Sequence, residues 1–351
     1  MTKRFRHGLM VTAIMSVLAG NAAAAGFQLQ NQTGSGNGNA FAGAAATAED
    51  AGTIFFNPAG MTMLPEGHSF AVAGTVLSRS IKFTDTGTTN SNTRTPGVTT
   101  PNGKDAGGTS FIPAFYWSYS IDSATRVGLG VSPTFGNKTD YGFDFNGRNA
   151  GYYADIKQYN VNPSIAVKLN DEVSIGIGLN YAMNDSEFKS GVPLQAKSAT
   201  VKGSDTAFGY NGGINFQLNP DTRLALTYRS ELRFNLDGTR KVDPGTLVVT
   251  DADITAKLTT PAMSSLALST KVNDKVEMLA DLTWTGWSSI QNLEIINKAN
   301  AADKTVTSYN FRDTIRVGLG ANYQYSDDVK LRFGTAYDQS PVKSAADRTM
   351  T

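Results

Sequence analysis

No cysteine occurs in the 351 residues. That absence excludes disulfide stapling, thiolate nucleophiles, cysteine-bound zinc or iron–sulfur sites, and a lipid-modified N-terminal cysteine. Histidine is nearly missing as well, with two copies, and no G-x-S-x-G occurs. A serine hydrolase or protease, which usually sets a histidine beside its nucleophile, is therefore disfavoured and no enzyme is expected. Neither sign of charge dominates, with 31 Lys and Arg against 30 Asp and Glu. Nucleic acid as a partner would need a basic field that this balance does not supply. Long hydrophobic runs are also lacking: beyond the N-terminus none reaches the roughly 18 residues of a membrane helix. With a mean hydropathy of −0.24, a bundle of membrane-spanning helices is excluded.

What is present begins with an address. Lys3, Arg4 and Arg6 are followed by a short apolar stretch from Leu9 to Leu18 and by Ala23-Ala24-Ala25. Positive start, brief apolar core and small-residue cleavage site make residues 1–25 an export signal and Gly26 the expected mature N-terminus.

From about residue 68 the dominant period is two. In Val173-Ser-Ile-Gly-Ile-Gly-Leu-Asn-Tyr181 the odd positions are large and apolar and the even ones small or polar. The pattern recurs at Leu224, Leu226, Tyr228, Leu232 and Phe234, at Val276 to Trp284, and at Ile315 to Tyr323. Such alternation marks strands with one apolar and one polar face. Tight turns at Asp122-Ser123, Asn170-Asp171, Asn219-Pro220-Asp221, Asn273-Asp274 and Asp327-Asp328 alternate with long polar loops near 82–110, 135–156, 186–204, 235–260 and 288–308. The turns recur roughly every fifty residues, the length of two membrane-crossing strands and one long loop. Export, short turns at one end and long loops at the other predict an antiparallel transmembrane β-barrel, apolar face toward lipid. A secreted β-sandwich would alternate similarly without the short and long rhythm. Trp117, Tyr119, Tyr159, Tyr181, Tyr228, Trp284, Trp287, Tyr323 and Tyr337 lie near strand ends, as interfacial girdles do.

About eleven strands are expected, at 68–81, 110–121, 126–134, 157–169, 173–185, 205–218, 222–234, 262–272, 275–287, 309–324 and 329–338. An odd count is unusual for a bacterial single-chain barrel, and an open edge in lipid leaves backbone groups unpaired. The chain stops at Arg348-Thr-Met-Thr351 without a closing strand. The expectation is therefore a truncated chain lacking about three strands. Three regions follow: signal 1–25, plug 26–66 and barrel 67–351. The plug stretch does not alternate; it holds the flexible run Gly34 to Asn39 and an Ala-rich segment from Phe41 to Asp50. Its glycines lack the spacing of a phosphate cradle, and no cofactor or metal is expected. A compact segment ahead of the first strand belongs in the lumen.

Gly26-Phe27-Gln28-Leu29, Phe41-Ala42-Gly43 and Glu49 to Met61, with Asn57-Pro58-Ala59 inside it, resemble the hatch of the FadL/TodX family. Ala225 to Glu231, Thr285-Gly-Trp-Ser288, Phe311-Arg-Asp313 and Asp338 to Val342 extend the resemblance from Gly26 to the last residue. It implies a fourteen-stranded barrel in a Gram-negative outer membrane of lipid and lipopolysaccharide, as a monomer. It also implies passive uptake of long-chain fatty acids, aromatic hydrocarbons or similar hydrophobic molecules. In this reading Asn57, Pro58, Ala59, Gly26 and Phe27 form a gate, and cargo leaves sideways through a gap in the wall.

Pro113, Pro133 and Pro163 are the prolines inside expected strands, the second, third and fourth, where each deletes a ladder donor. Pro133, Thr134, Phe135 and Gly136 are accordingly expected to line the gap, with strands three and four interrupted and Asn57-Pro58-Ala59 packed against it. Lys189 is the nearest basic residue to the position where the resemblance implies a ligand contact. Leu29, Phe55 and Phe56 are the apolar candidates. Parity places Lys168, Arg223, Arg229, Arg233, Arg312, Arg316, Lys330 and Arg332 inward, paired with Glu231, Glu277, Asp281 and Asp338. A general porin or a surface adhesin is the alternative; a forty-residue plug speaks against bulk flow, and nothing in the loops is diagnostic of adhesion.

Overall fold

The computed structural model describes residues 26–85, 102–193, 195–244 and 249–344. The export signal and the last residues, on which the truncation expectation rested, lie outside the described residues. Fifteen antiparallel strands form one sheet. They are β1 (His68–Arg79), β2 (Gly108–Ser120), β3 (Thr125–Asp140), β4 (Tyr153–Lys168), β5 (Val173–Gly191), β6 (Ser198–Asn219), β7 (Thr222–Arg229), β8 (Leu232–Val242), β9 (Ala252–Thr260), β10 (Met263–Asn273), β11 (Val276–Thr285), β12 (Asn292–Asn297), β13 (Asn300–Ser308), β14 (Thr314–Gln324) and β15 (Lys330–Asp338). Eleven of them follow in hydrogen-bonded order, β1 to β7 and then β10, β11, β14 and β15. These are the eleven expected strands. Of the other four, β8 begins in the last residues of the strand expected at 222–234 and runs on into the loop expected at 235–260, where β9 also lies, β12 and β13 arise in the loop expected at 288–308, and β5 and β6 run on through most of the loop expected at 186–204. In the path, β1 pairs with β2 and β15 with β14 among the described residues, so these two strands are the sheet's edges.

The wall is inside out relative to a soluble protein. On β5, Ile177 and Leu179 are 65% and 66% exposed, while Asn180 and Ala182 facing the other way are buried. A sheet that turns its large apolar residues outward finds a favourable partner in hydrocarbon, where every backbone group must already be paired. No described helix is long and apolar enough to cross a membrane, which says nothing of crossing by strands. The 22 residues of β6 span roughly 70 Å at about 3.3 Å each, more than twice a hydrocarbon layer of about 30 Å. The β5–β6 hairpin therefore stands well clear of the membrane at the long-loop end.

There the polarity reverses. The expected strand 222–234 is broken at Ser230, whose Oγ accepts from the Tyr210 amide at 3.0 Å while its own amide donates back to Tyr210 at 2.9 Å. Before the break Leu226 and Tyr228 face outward; after it Leu232, Phe234 and Leu236 are buried. All are even-numbered, so Ser230-Glu231 turns the apolar face from outside to inside. The physical reason is the surroundings: hydrocarbon gives way to water, and the apolar side must then turn inward. Arg233, expected in the lumen, is consequently on the exposed face and pairs with Glu231; Arg312 is exposed too.

The plug fills the lumen with almost no regular structure beyond α1 (Ala44–Thr47), α2 (Thr53–Phe56) and short 3₁₀ turns at Ser35–Asn39 and Pro58–Met63. Its backbone groups need partners from elsewhere. The polar inner wall supplies them: Arg316 donates to the Ala40 carbonyl, Arg223 to Thr47 at 3.0 Å and Arg229 to Phe55 at 2.8 Å, while Asp281 accepts from the Gly43 amide at 3.3 Å.

Candidate functional site

β2 and β3 pair from Ser120↔Arg126 only as far as Phe115↔Val131. Beyond that point β2 continues with β1 to Arg79↔Gly108, and β3 continues with β4 to Asp140↔Tyr153. The unpaired part of β3 begins at Ser132, and Pro133 next to it has no N–H to donate across to β2. On its other side Pro133 faces Tyr159 and Phe135 faces Gln158, so Thr134 is the extra residue of a bulge. The β3–β4 ladder is otherwise continuous. The expected interruption between strands three and four is thus corrected: the wall parts between β2 and β3. Pro113 keeps its register with Gly74 of β1 but lies in the part of β2 that has no β3 partner, and Pro163 keeps its register with Leu129 of β3 while the β4–β5 ladder skips from Val161↔Tyr181 to Ser164↔Gly178.

A cavity of about 260 Å³ occupies the divergence. Leu77, Phe111, Ile112, Pro133, Phe135 and Gly136 line it together with Leu29 of the plug, and Arg79, Lys138, Asp155 and Lys157 provide charge. Phe111 and Tyr159 in this lining are also exposed on the outer face, so the cavity reaches the lipid side of the wall.

From within, the plug's first residues take the place of the missing strand. The Leu29 amide donates to the Thr134 carbonyl at 3.0 Å, and the Gly136 amide donates to the Phe27 carbonyl at 2.9 Å. Gln32, fully buried, donates through Nε2 to the Pro133 carbonyl at 2.8 Å and to the Leu29 carbonyl at 2.9 Å, and its Oε1 accepts from the Tyr116 hydroxyl at 2.7 Å. Gln158 donates to the Thr134 hydroxyl at 2.8 Å. A side-chain amide can bind a carbonyl and a hydroxyl at once, which suits Gln32 to fasten an irregular segment to an irregular strand. Sequence reading missed Gln32; a polar residue beside Gly26-Phe27-Gln28-Leu29 carried no periodic signal.

Phe27 sits 5.8 Å from the Phe135 ring and 5.1 Å from that of Trp287, and Trp287 lies 6.1 Å from Phe135 and 6.0 Å from Phe311. Trp287, expected in an interfacial girdle, is instead 1% exposed in this cluster. Gly26 follows from it: its φ of +62° lies where side chains are strained, and a Cβ there would meet the indole at 2.4 Å.

Asn57-Pro58-Ala59 is elsewhere. Asn57, fully buried, donates to the Ala45 carbonyl and to Asn215 Oδ1, both at 3.0 Å, and its own Oδ1 accepts from the Ala59 amide at 3.0 Å. Pro58 opens the following turn, where a missing N–H is harmless. Two glycines admit the motif: a Cβ on Gly176 would come within 2.4 Å of the Ala59 nitrogen, and one on Gly213 within 2.3 Å of Asn57 Oδ1. The motif therefore docks on β5 and β6 near the short-turn end rather than at Pro133 to Gly136. It fixes the plug's seat.

Phe55 and Phe56 are packed plug residues, 5.1 Å apart, with the Arg229 guanidinium 4.8 Å above Phe55. The cavity they border is about 60 Å³, room for a few waters and too little for a long chain. Lys189 lines none of the cavities described here; it pairs with Glu187 at 3.2 Å and lies over the Tyr153 ring at 4.7 Å. Of the inward cations, Arg316 pairs with Asp281 at 2.6 Å, and Arg332 and Lys330 meet Glu49 of the plug at 2.8 and 3.3 Å. Burial alone would raise the Glu49 carboxyl, but these two cations outweigh it and hold its pKa below the ordinary value. Neighbouring Asp50 is raised, by burial first and by Glu49 beside it. Among the described residues no cluster fit for a metal ion occurs.

The model of the outer membrane protein transport protein family (OMPP1/FadL/TodX) matches residues 15–351. A long-chain fatty acid transport protein of Salmonella typhi is 27% identical, over 96% of this chain and 83% of its own length. The crystal structure of a Pseudomonas aeruginosa FadL homologue superimposes with a TM-score of 0.77 at 23% identity, covering 92% of this chain and 83% of that one. The Ralstonia pickettii toluene transporter TbuX does so with a TM-score of 0.63 at 18% identity, covering 91% and 87%. Plugged lumen, inside-out wall and these likenesses agree, and the chain belongs to the FadL/TodX family of outer-membrane transport proteins.

Proposed function

We propose that the chain takes up a hydrophobic molecule passively, holding it against the aromatic cluster and releasing it sideways between β2 and β3. The observation that carries this reading is the ladder that ends at Phe115↔Val131 beside a cavity reaching the lipid side. Lateral release suits the cargo. An alkyl chain of about sixteen CH₂ groups at roughly 0.8 kcal/mol each prefers hydrocarbon to water, so a route that never crosses the periplasmic mouth avoids a large penalty. The gate in this reading is Gly26 to Gln32, the segment bonded across Thr134 and Gly136, with Leu29 against the cavity. Asn57-Pro58-Ala59 anchors the body of the plug while that segment moves. Fatty acids and aromatic hydrocarbons are the two cargo classes that the named relatives favour. A general porin is disfavoured by the filled lumen.

The test is uptake of oleate and of toluene by a deletion strain carrying the full-length gene, beside the same gene with Pro133→Val. Valine supplies the N–H and the β preference that proline lacks, so uptake is expected to fall severalfold while the barrel assembles normally. Unchanged uptake in the variant speaks against the side exit; equal uptake with and without the gene for both compounds removes the transport reading.

A further inference from the structure

We propose that the small cavity between the body of the plug and β7, β10 and β11 is an anion site, sized for one monovalent halide ion, which ties the plug to the wall. The inference does not rest on the uptake reading; it concerns how the plug is held. The cavity has a volume of about 60 Å³, and Phe55 and Phe56 of the plug border it together with Arg229 of β7 and Ser265 of β10.

Arg229 carries the inference. Among the inward cations Arg316 has Asp281, and Arg332 and Lys330 share Glu49. Arg229, half-buried in the lumen, forms no ion pair among the described residues. Its guanidinium donates to two neutral oxygens, Asn180 Oδ1 and the Phe55 carbonyl at 2.8 Å, and lies 4.8 Å from the centre of the Phe55 ring. The network behind Asn180 is neutral as well: Asn160 donates to it at 2.8 Å, and it donates in turn to Asn211 at 3.2 Å. A guanidinium has five N–H donors in a planar fork, so two acceptors leave donors over for the cavity. Holding a cation away from water without a counter-charge is costly, and the low dielectric responsible also strengthens its pull on an anion.

Charge and size narrow the ligand. Arg229, Arg316 and Asp281 all border the cavity, an excess of one positive charge. Asp338, opposite Arg316 in the β14–β15 register, does not border it. Asp281 is already engaged by Arg316 at 2.6 Å and by the Gly43 amide at 3.3 Å, so the excess lies at Arg229. Room for a few waters holds one halide and excludes an alkyl carboxylate or a sugar acid. Ser265 Oγ accepts from Thr283 at 2.9 Å and keeps its own proton to turn toward the ion. An ion held there touches wall and plug at once, and the plug elements beside it, α1 and α2, should open more readily without it.

The test compares potassium chloride, bromide and gluconate at equal ionic strength, with the full-length protein in detergent micelles. Amide exchange in α1 and α2 is expected to be about tenfold slower in about 0.1 M chloride or bromide than in gluconate, the factor 1 + [L]/Kd for a site with a Kd of about 10 mM. The β12–β13 amides serve as the control and should exchange alike in all three salts. Arg229→Gln keeps a side-chain amide for Asn180 and Phe55 and is expected to abolish the halide effect. Should it not assemble, as judged by heat-modified gel mobility, Ser265→Leu fills the cavity with Arg229 in place and is expected to abolish it equally. Crystals grown in bromide are expected to show an anomalous peak beside the Arg229 guanidinium. Equal exchange in the three salts, a halide effect that persists in the assembled variant, or no bromide peak at Arg229 overturns the site and leaves the uptake reading untouched.

Discussion

Replacing Gln32 by leucine tests whether the first residues of the plug are a gate held by side-chain hydrogen bonds. Leucine nearly matches glutamine in volume, so packing is kept while the amide is lost. Three groups lose a partner: the Pro133 and Leu29 carbonyls and the Tyr116 hydroxyl. Each buried group left unpaired costs about 1–3 kcal/mol, so even two at the low end remove about 2 kcal/mol, roughly a thirtyfold rise in local opening. The loss is local, because no strand-to-strand bond is touched. Amide hydrogen exchange reads it directly: the Leu29 and Gly136 amides, which bridge plug and β3, are expected to exchange about thirtyfold faster, with the β5–β6 amides unchanged. Oleate uptake is expected to rise or to lose its dependence on cargo concentration. Unaltered exchange at Leu29 and Gly136 would show that Gln32 does not hold the segment, and the gate would have to be sought elsewhere.

Asp281→Ala leaves the buried Arg316 guanidinium without its 2.6 Å partner and takes an acceptor from the Gly43 amide. Breaking a buried pair this way costs about 3–5 kcal/mol, to be seen as a lower unfolding midpoint in denaturant and as proteolysis of the plug near Gly43. Glu49 gives a pH dependence whose sign follows from its lowered pKa: its attraction to Arg332 and Lys330 is complete above the unfolded value of about 4.3 and is lost as pH falls through the depressed folded value. Plug amides near Glu49 should therefore lose protection only in acid, and Glu49→Gln should abolish that loss; protection that first falls above pH 6 contradicts the assignment.

How much of this was legible beforehand differs by element. The eleven wall strands were, because a period of two over a dozen residues admits little else, and tight Asn and Asp turns set their ends. The glycines that seat Asn57-Pro58-Ala59 were visible only as small residues on the polar face; that Gly176 and Gly213 make room for the motif depends on which strands the plug touches. Pro133 advertised a weak place in β3 but not which neighbour it releases, since a missing N–H says nothing of the side to which it would have pointed. Leu232 and Phe234 continue the parity of Leu226 and Tyr228, yet they lie on the opposite face. Only their position past the membrane edge decides that.

The sequence by itself therefore determined export, a barrel wall, a plug in front of it and the family resemblance, all of which are local patterns of residue type. Tertiary structure alone decided where the β2–β3 ladder ends, that Gln32 fastens the plug's first residues to β3 beside it, that Trp287 is buried rather than interfacial, and that the loops enclose an apolar cluster. These depend on which strands meet and on whether water or hydrocarbon lies outside them, and a chain read in one dimension carries neither.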